Sequence, residues 1–197
     1  MTEKLSLASA DRNKGPILEV LKRVIPPNAR ILEIASGTGQ HAVFFADNLS
    51  GITWQPSDPD EERRASTRAW RDEAGLENIL DPIDIDVIDS IWNIGAFDVI
   101  YNSNLIHISP WECCLGLLAG ARRHVRPDGL LIIYGPFRIG GEHTAPGNRA
   151  FDVDLRARDP RWGVRDLEAV RDAADGFTFE ERVEMPANNQ TLVFRKT

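Results

Sequence analysis

Apolar and polar positions fall into short blocks that switch between a continuous or period-two pattern and a period near 3.6, the mark of strands exchanging with helices. Ile17, Leu18, Leu21, Val24 and Ile25 recur at helical spacing and predict a helix over Lys14 to Val24, with Pro16 in its first turn and Pro26-Pro27 as its stop. Apolar runs predict buried strands at Arg30 to Ala35 and Ile52 to Gln55, separated by a helix carrying Val43, Phe44, Phe45 and Leu49. Glu61 to Ala74 reads as a charged surface helix stopped by Gly75. Ile79 to Ile85 reads as a third strand, at a sheet edge because Pro82 has no amide hydrogen for a ladder. Further strands are expected at Phe97 to Asn102 and Leu130 to Tyr134. Between them lies a helix over Pro110 to Val125 that buries Trp111, Leu115, Leu118 and Ala119, then a turn at Pro127-Asp128-Gly129. A last helix, Val164 to Ala174, precedes two strands, Phe177 to Glu184 and Thr191 to Arg195.

Strands spaced by helices imply an α/β fold, a mostly parallel sheet with helices on both faces. The last two strands have no helix between them and predict an antiparallel hairpin on that sheet. No linker or repeat divides the chain, so residues 1–197 are expected to form one domain. Ligands of such sheets bind outside the carboxyl ends of the strands.

Composition narrows the partners. With 42% hydrophobic and 27% charged residues, the profile is that of a globular protein. The longest apolar run, Leu130 to Tyr134, has strand length, so no membrane association is expected. The stretch Met1 to Pro16 lacks the apolar centre of a secretion signal. A net charge of −7 argues against nucleic acid as a partner. Cys113 and Cys114 are adjacent, with neither a disulfide framework nor metal-ligand spacing. No metal is expected, and a reducing, cytoplasmic setting fits.

The first strand runs into Ser36-Gly37-Thr38-Gly39 and then a helix. Glycines there let backbone approach a ligand and expose a helix N-terminus to it. Gly37-x-Gly39-x-x-Ala42 also satisfies the dinucleotide fingerprint of nicotinamide enzymes. Asp58, at the end of the second strand, is placed to accept both ribose hydroxyls of an adenosine; Asp60 is its rival, and a turn or cap role the plain alternative. Asp86 ends the third strand and is a candidate for the adenine amino group, with Val87 packing on the ring.

Glu33-x-Ala35-Ser36-Gly37-Thr38-Gly39, Asp58, Asp86 and Phe97 to Asn102 together resemble the ordered motifs of class I S-adenosylmethionine-dependent methyltransferases. Arg12 to Leu18, His107 to Trp111, Tyr134 to Phe137, His143 to Pro146, Asp159 to Asp166 and Met185 to Asn189 are similar to the methyltransferase-like protein 26 family, whose acceptor is not established. The resemblance implies a Rossmann-like three-layer sandwich with seven strands in the order 3-2-1-4-5-7-6. It implies S-adenosylmethionine as cofactor, with Glu33 ordering the glycine loop and Ala35, Ser36 and Gly37 flanking the methionine end. Ala35 departs from the glycine many class I enzymes carry there.

Methyl transfer is an in-line displacement that depends largely on alignment. Asn102 is the candidate for the amino-acid end of the cofactor and Asn104 for orienting an acceptor. His107 and His143 are the candidate bases, each with a plain loop or capping alternative. Gly135 to Asn148, rich in glycine and holding Arg138, reads as a mobile substrate loop. Arg138 binds an acidic acceptor or pairs with Glu142. Asn188-Asn189 makes a hairpin turn or enters the pocket, and Asn13-Lys14 caps the first helix or closes over the cofactor. A small-molecule acceptor is expected, with a protein or peptide as the second choice. A non-catalytic cofactor-binding protein and a nicotinamide oxidoreductase are the competing functions.

Overall fold

A computed structural model describes residues 3–197. It has helices α1 (Ala8–Val24), α2 (Gln40–Asn48), α3 (Glu61–Ala74), α4 (Trp111–His124), α5 (Pro146–Arg158) and α6 (Leu167–Ala173). Its strands are β1 (Arg30–Ile34), β2 (Thr53–Ser57), β3 (Phe97–Ser103), β4 (Val125–Ile139), β5 (Glu142–His143), β6 (Arg165–Asp166), β7 (Phe177–Met185) and β8 (Asn189–Lys196). The sheet order is β2-β1-β3-β4-β8-β7. The first four strands run parallel, and β8 returns antiparallel between β4 and β7. The fold is the Rossmann-like three-layer sandwich with an antiparallel C-terminal hairpin.

Alternation sorts each central strand between two cores. Ile31, Val99, Tyr101 and Ile132 face α1 and α2, where Phe45 and Trp54 are wholly buried. Leu32, Ile34, Ile100 and Ile133 face α4 and α6. Burying a side chain of this size stabilises by about 1.5–3 kcal/mol, so the sheet is fixed from both faces. No helix among the described residues is long and apolar enough to cross a membrane.

The expected third strand survives only as two bridges, Ile79 beside Trp54 and Ile83 beside Ser57. Proline is the reason. The parallel ladder begins properly, with Trp54 N donating to Asn78 O at 2.8 Å and Leu80 N to Trp54 O at 2.9 Å. The next two donors would be Pro56 and Pro82, which have no amide hydrogen. Ile83 N takes over at Pro56 O, and the Gln55 side chain donates to Asp81 O at 2.7 Å. The outer position in the order is therefore a bridged segment.

Three further expectations are corrected. Helix α1 starts at Ala8, which puts Pro16 in its interior. An interior proline costs a helix about 3 kcal/mol; the first turns are held from outside, by Leu7 N donating to Gln40 Oε1 at 2.6 Å and Asn13 Oδ1 meeting His41 Nε2 at 2.7 Å. The buried stripe of α4 is Cys114, Leu117, Leu118 and Ala121, while Leu115 is exposed. Its glycines set that phase: a methyl on Gly116 would overlap the Val87 carbonyl, and one on Gly120 the Trp92 ring. Gly135 to Asn148 is strand and helix rather than a loop. β4 runs on to Ile139, turns at Gly140-Gly141 into β5, and α5 follows. Phe137 is wholly buried and Arg138 pairs with Asp166 at 2.6 Å, not with Glu142.

Gly116→Ala should therefore destabilise the protein by at least about 2 kcal/mol through overpacking. Gly147→Ala, in α5 with open space around it, should stabilise by about 0.5–1 kcal/mol. Urea unfolding checks both, and equal effects would show that helix propensity rather than close packing decides them.

Candidate functional site

The carboxyl ends of β1 and β2 are tied by side chains that take over from the ladder. Ser36 N donates to Ser57 O at 2.8 Å and Ser57 N to Ser36 Oγ at 3.1 Å. Ser57 Oγ donates to Glu33 O at 2.7 Å. Gly37 N and Asp60 N each donate to one oxygen of the Asp58 carboxylate, at 3.0 Å. The loop between β1 and α2 thus sits directly against Asp58. It turns through positive φ at Ala35 (56°), Gly37 (60°) and Gly39 (87°). A side chain on Gly39 would lie 2.6 Å from Thr67 Cα, so glycine is required there. Gly37 has more room, its nearest neighbour being Arg63 Nη1 at 3.4 Å.

Above this loop lies a cleft of about 110 Å³. Glu33, Ala35, Ser36 and Gly37 line it from the loop, Asn104 from the end of β3, and Asn13 from α1. Six of the residues expected from sequence are therefore brought together. Asp58 lies behind the loop, buried, with a second lone pair on each oxygen still available. Asn102 lies beneath, wholly buried; its Nδ2 donates to Ile34 O at 2.8 Å, and its Oδ1 has no partner within the protein.

The others are elsewhere. Asp86 bonds its own turn at Ile88 N, and Val87 packs in the core under α4. Lys14 pairs with Asp11. His107 is wholly buried, edge-on to Phe137 at 4.9 Å. Its Nδ1 accepts from Arg165 N at 3.3 Å, which leaves the hydrogen on Nε2. Burial and the Arg165 cation hold its pKa down at about 3. That ring has no free basic nitrogen and presents a donor, which corrects the expectation of a base. His143 lines a separate hollow of about 590 Å³ with Pro146, Arg149 and Val153. Its Nε2 faces Asp152 Oδ2 at 3.5 Å, and its Nδ1 has no partner within the protein. Asn188 edges a third cleft, beside Gln190.

Sequence reasoning missed Arg63, His41 and Ile108 in the main cleft. His41 carried a signal, standing in the first turn of the helix after Gly39. Asp152 carried none, because the His143 contact depends on α5.

Glu33 is the electrostatic centre of the cleft. Burial pushes its carboxyl up to about 7, against the bond it accepts from Trp54 Nε1 at 3.0 Å. A folded pKa above the ordinary 4.5 gives stability that is complete below pH 4.5 and lost as pH rises through about 7. The whole shift is worth about 3 kcal/mol. Burial lowers the pKa of His41 to about 4, so His41 and His107 act in the opposite sense below pH 6.5, and the comparison must be with a matched variant. Between pH 5 and 8, Glu33→Gln should gain about 2 kcal/mol on the wild type in urea unfolding. Parallel pH profiles would remove the buried carboxylate from the account.

Solved structures with this fold are numerous. One is an S-adenosylmethionine-dependent methyltransferase, SibL, in its apo form: 19% identity, TM-score 0.80, over 96% of this chain and 56% of that one. A second is an O-methyltransferase family 2 protein from Planctomyces limnophilus in complex with apigenin, at 16% identity and TM-score 0.80, over 96% and 58%. A third is a putative sarcosine dimethylglycine methyltransferase from Galdieria sulphuraria, at 15% identity and TM-score 0.75, over 96% and 87%. The chain spans little more than half the length of the first two. Residues 4–196 match the family model described as a protein of unknown function, DUF938, and the chain belongs to that family.

Proposed function

We propose that this chain, as one domain, is an S-adenosylmethionine-dependent methyltransferase acting on a small-molecule acceptor in the cytoplasm. The observation that carries the reading is the glycine loop held against Asp58 at the carboxyl edge of the sheet, with Glu33 and Asn104 in one cleft. The residues present fit the cofactor. Asp58 has spare acceptor capacity for ribose hydroxyls, worth about 1.5–3 kcal/mol per charged bond. Glu33 and the unpartnered Asn102 Oδ1 both suit the ammonium of an amino acid. Cofactor sites are commonly 300–1,000 Å³, so entry requires the wall formed by Leu7, Asn13 and Arg63 to move.

When bound, S-adenosylmethionine supplies an electrophilic methyl group. Asn104, held at φ 64° with Asn104 N bonded to Tyr134 O, orients the acceptor beside it. His143 lines a separate hollow, so the transfer at Asn104 is read as resting on alignment rather than on that ring as base. The likeness to the methyltransferase-like protein 26 family supports the same reading, as do the small-molecule methyltransferase neighbours.

S-adenosylmethionine or S-adenosylhomocysteine should raise the melting temperature and NAD should not; at 100 times Kd the gain is about 2.7 kcal/mol. Asp58→Ala should weaken that binding at least about tenfold, or 1.4 kcal/mol. Calorimetric titration decides it. Equal response to NAD, or unchanged affinity in the variant, would overturn the assignment.

A further inference from the structure

The main cleft carries an apolar edge beside Asn104. Leu7 and Ile108 are large hydrophobic side chains left 52% and 40% exposed, and both line this cleft. They come from different walls, Leu7 from the residue before α1 and Ile108 from the turn after β3. Fraying does not explain the exposure of Ile108, because its turn is bonded along its length. Ile108 N donates to Leu105 O at 3.1 Å, Ser109 Oγ to Leu105 O at 2.6 Å, and Gly163 N to His107 O at 3.0 Å. Arg165 donates to Ile106 O at 2.8 Å and to Ser109 O at 2.7 Å. Ile106 and His107 are wholly buried, so the fold holds Ile108 out while burying the residues before it. Ile108 N also reaches Asn104 O at 3.3 Å, which keeps the two residues together.

Charge is placed elsewhere. Glu33 and Arg63 are the formally charged residues lining the cleft. Glu33 lies at 2% exposure beneath the glycine loop, bonded by Trp54 Nε1, where the reading above gives it the ammonium of the cofactor. Arg63 stands over Gly37, 3.9 Å from Asp60. Lys14 and Asp11 of α1 pair with each other. Among the described residues, no histidine offers a base at Asn104. The chain has four. The Nδ1 of His107 accepts from Arg165 N, and His143 lines a separate hollow. His41 Nε2 is tied to Asn13 Oδ1 at 2.7 Å, and His124 ends α4. Asn104 donates Nδ2 to Ser103 Oγ at 3.3 Å, which leaves its Oδ1 to accept.

We infer that the acceptor is a neutral, weakly basic amine on an apolar body, the body held by Ile108 and Leu7 and an amine N–H donated to Asn104 Oδ1. Calling it an acceptor rests on the methyl-transfer reading; the binding itself does not. An alcohol would need a base, which this side of the cleft lacks. A thiol would react as a thiolate, which Asn104 Oδ1 repels. A strongly basic amine is an ammonium at neutral pH, with no lone pair and a charge that the apolar edge would desolvate. A weakly basic amine avoids all three. Its nitrogen lone pair forms the new bond to the methyl carbon, and the bond from that carbon to sulfur breaks with its electron pair kept by sulfur. The nitrogen, now positively charged, releases one proton to water. Ile108 is the fixed contact, and Leu7 stands on the wall that moves to admit the cofactor. Both are specificity-determining residues in this arrangement.

Calorimetric titration of the full chain with S-adenosylhomocysteine tests the cofactor reading alone. para-Toluidine is then titrated with and without it, while the methyl groups of Ile108 and Leu7 are followed by carbon-13 NMR. para-Toluate and para-methylbenzylamine, an anion and a cation on the same body, are the matched probes. The toluidine should shift the methyl signals of both residues saturably, and the two ions should not. Ile108→Ala and Leu7→Ala, both at exposed positions, should each weaken toluidine binding at least about tenfold, and by more than they weaken S-adenosylhomocysteine binding. With isotope-labelled S-adenosylmethionine, bound para-toluidine should gain a methyl group on nitrogen and para-cresol none on oxygen. Toluidine binding without any cofactor binding would overturn the methyl-transfer reading and leave the site standing. No saturable shift at Ile108, an equal shift with either ion, binding that survives both substitutions, or transfer to para-cresol in place of bound para-toluidine overturns the proposal.

Discussion

The tie between the carboxyl ends of β1 and β2 is the constraint on which the site depends. Two parallel strands must each release their chain at the same edge, and the freed backbone groups there still require partners. Ser36, Ser57 and Asp58 supply them, so the glycine loop is clamped to its neighbour by four short bonds. The clamp forces Ala35, Gly37 and Gly39 through positive φ and brings Gly39 against α3. It also fixes Glu33 in a dry position beneath the loop. A carboxyl kept near neutrality by burial is unfavourable for the fold when ionised, and it gains most from a cationic partner entering the cleft.

The wall on the other side of the cleft comes from the first turns of α1. These are not self-sufficient: Pro16 interrupts their helix, and they rest on Gln40 and His41 of α2. Leu5 N donates to Ser66 Oγ at 2.8 Å and Trp70 Nε1 to Leu5 O at 2.9 Å, so the preceding residues lean on α3. Each such bond is worth only about 0.5–1.5 kcal/mol net. The wall therefore rests on contacts to α2 and α3 rather than on its own helix alone.

Much of this was legible in the sequence. Glu61 to Ala74 with its Gly75 stop was readable because its capping aspartate, charge pattern and terminal glycine all agree. The glycine loop and Asp58 were readable because a turn with two glycines after a buried strand has few uses. Where the third strand and His107 were misread, the deciding partner was distant in sequence. Pro82 signalled an edge, but the loss of the strand needed Pro56 opposite it. The phase of α4 was hidden because glycine adds nothing to a hydrophobic stripe, yet Gly116 and Gly120 mark the face of closest approach. Helix α5 was hidden because Pro146 and Gly147 read as loop residues, although Pro146 is at a normal helix start. The histidines were found as residues and misread as chemistry, since only the fold shows that the Nδ1 of His107 is already taken.

The strand order sets the glycine loop and the hairpin turn on the same edge of the sheet. Strand β3 lies one position from β1 on one side and one from β4 on the other, and β8 is next beyond β4. Neighbouring strands are about 4.8 Å apart, so Asn104 at the end of β3 is two strands, roughly 10 Å, from Gln190 on β8. The glycine loop at β1 and the turn before β8 thus share one edge, three strands or roughly 14 Å apart. The hairpin is what makes this possible. Because β8 runs antiparallel, its first residues, not its last, stand at the carboxyl edge. The turn that feeds it therefore arrives at that edge, and Asn188, Asn189 and Gln190 are delivered beside the strand ends.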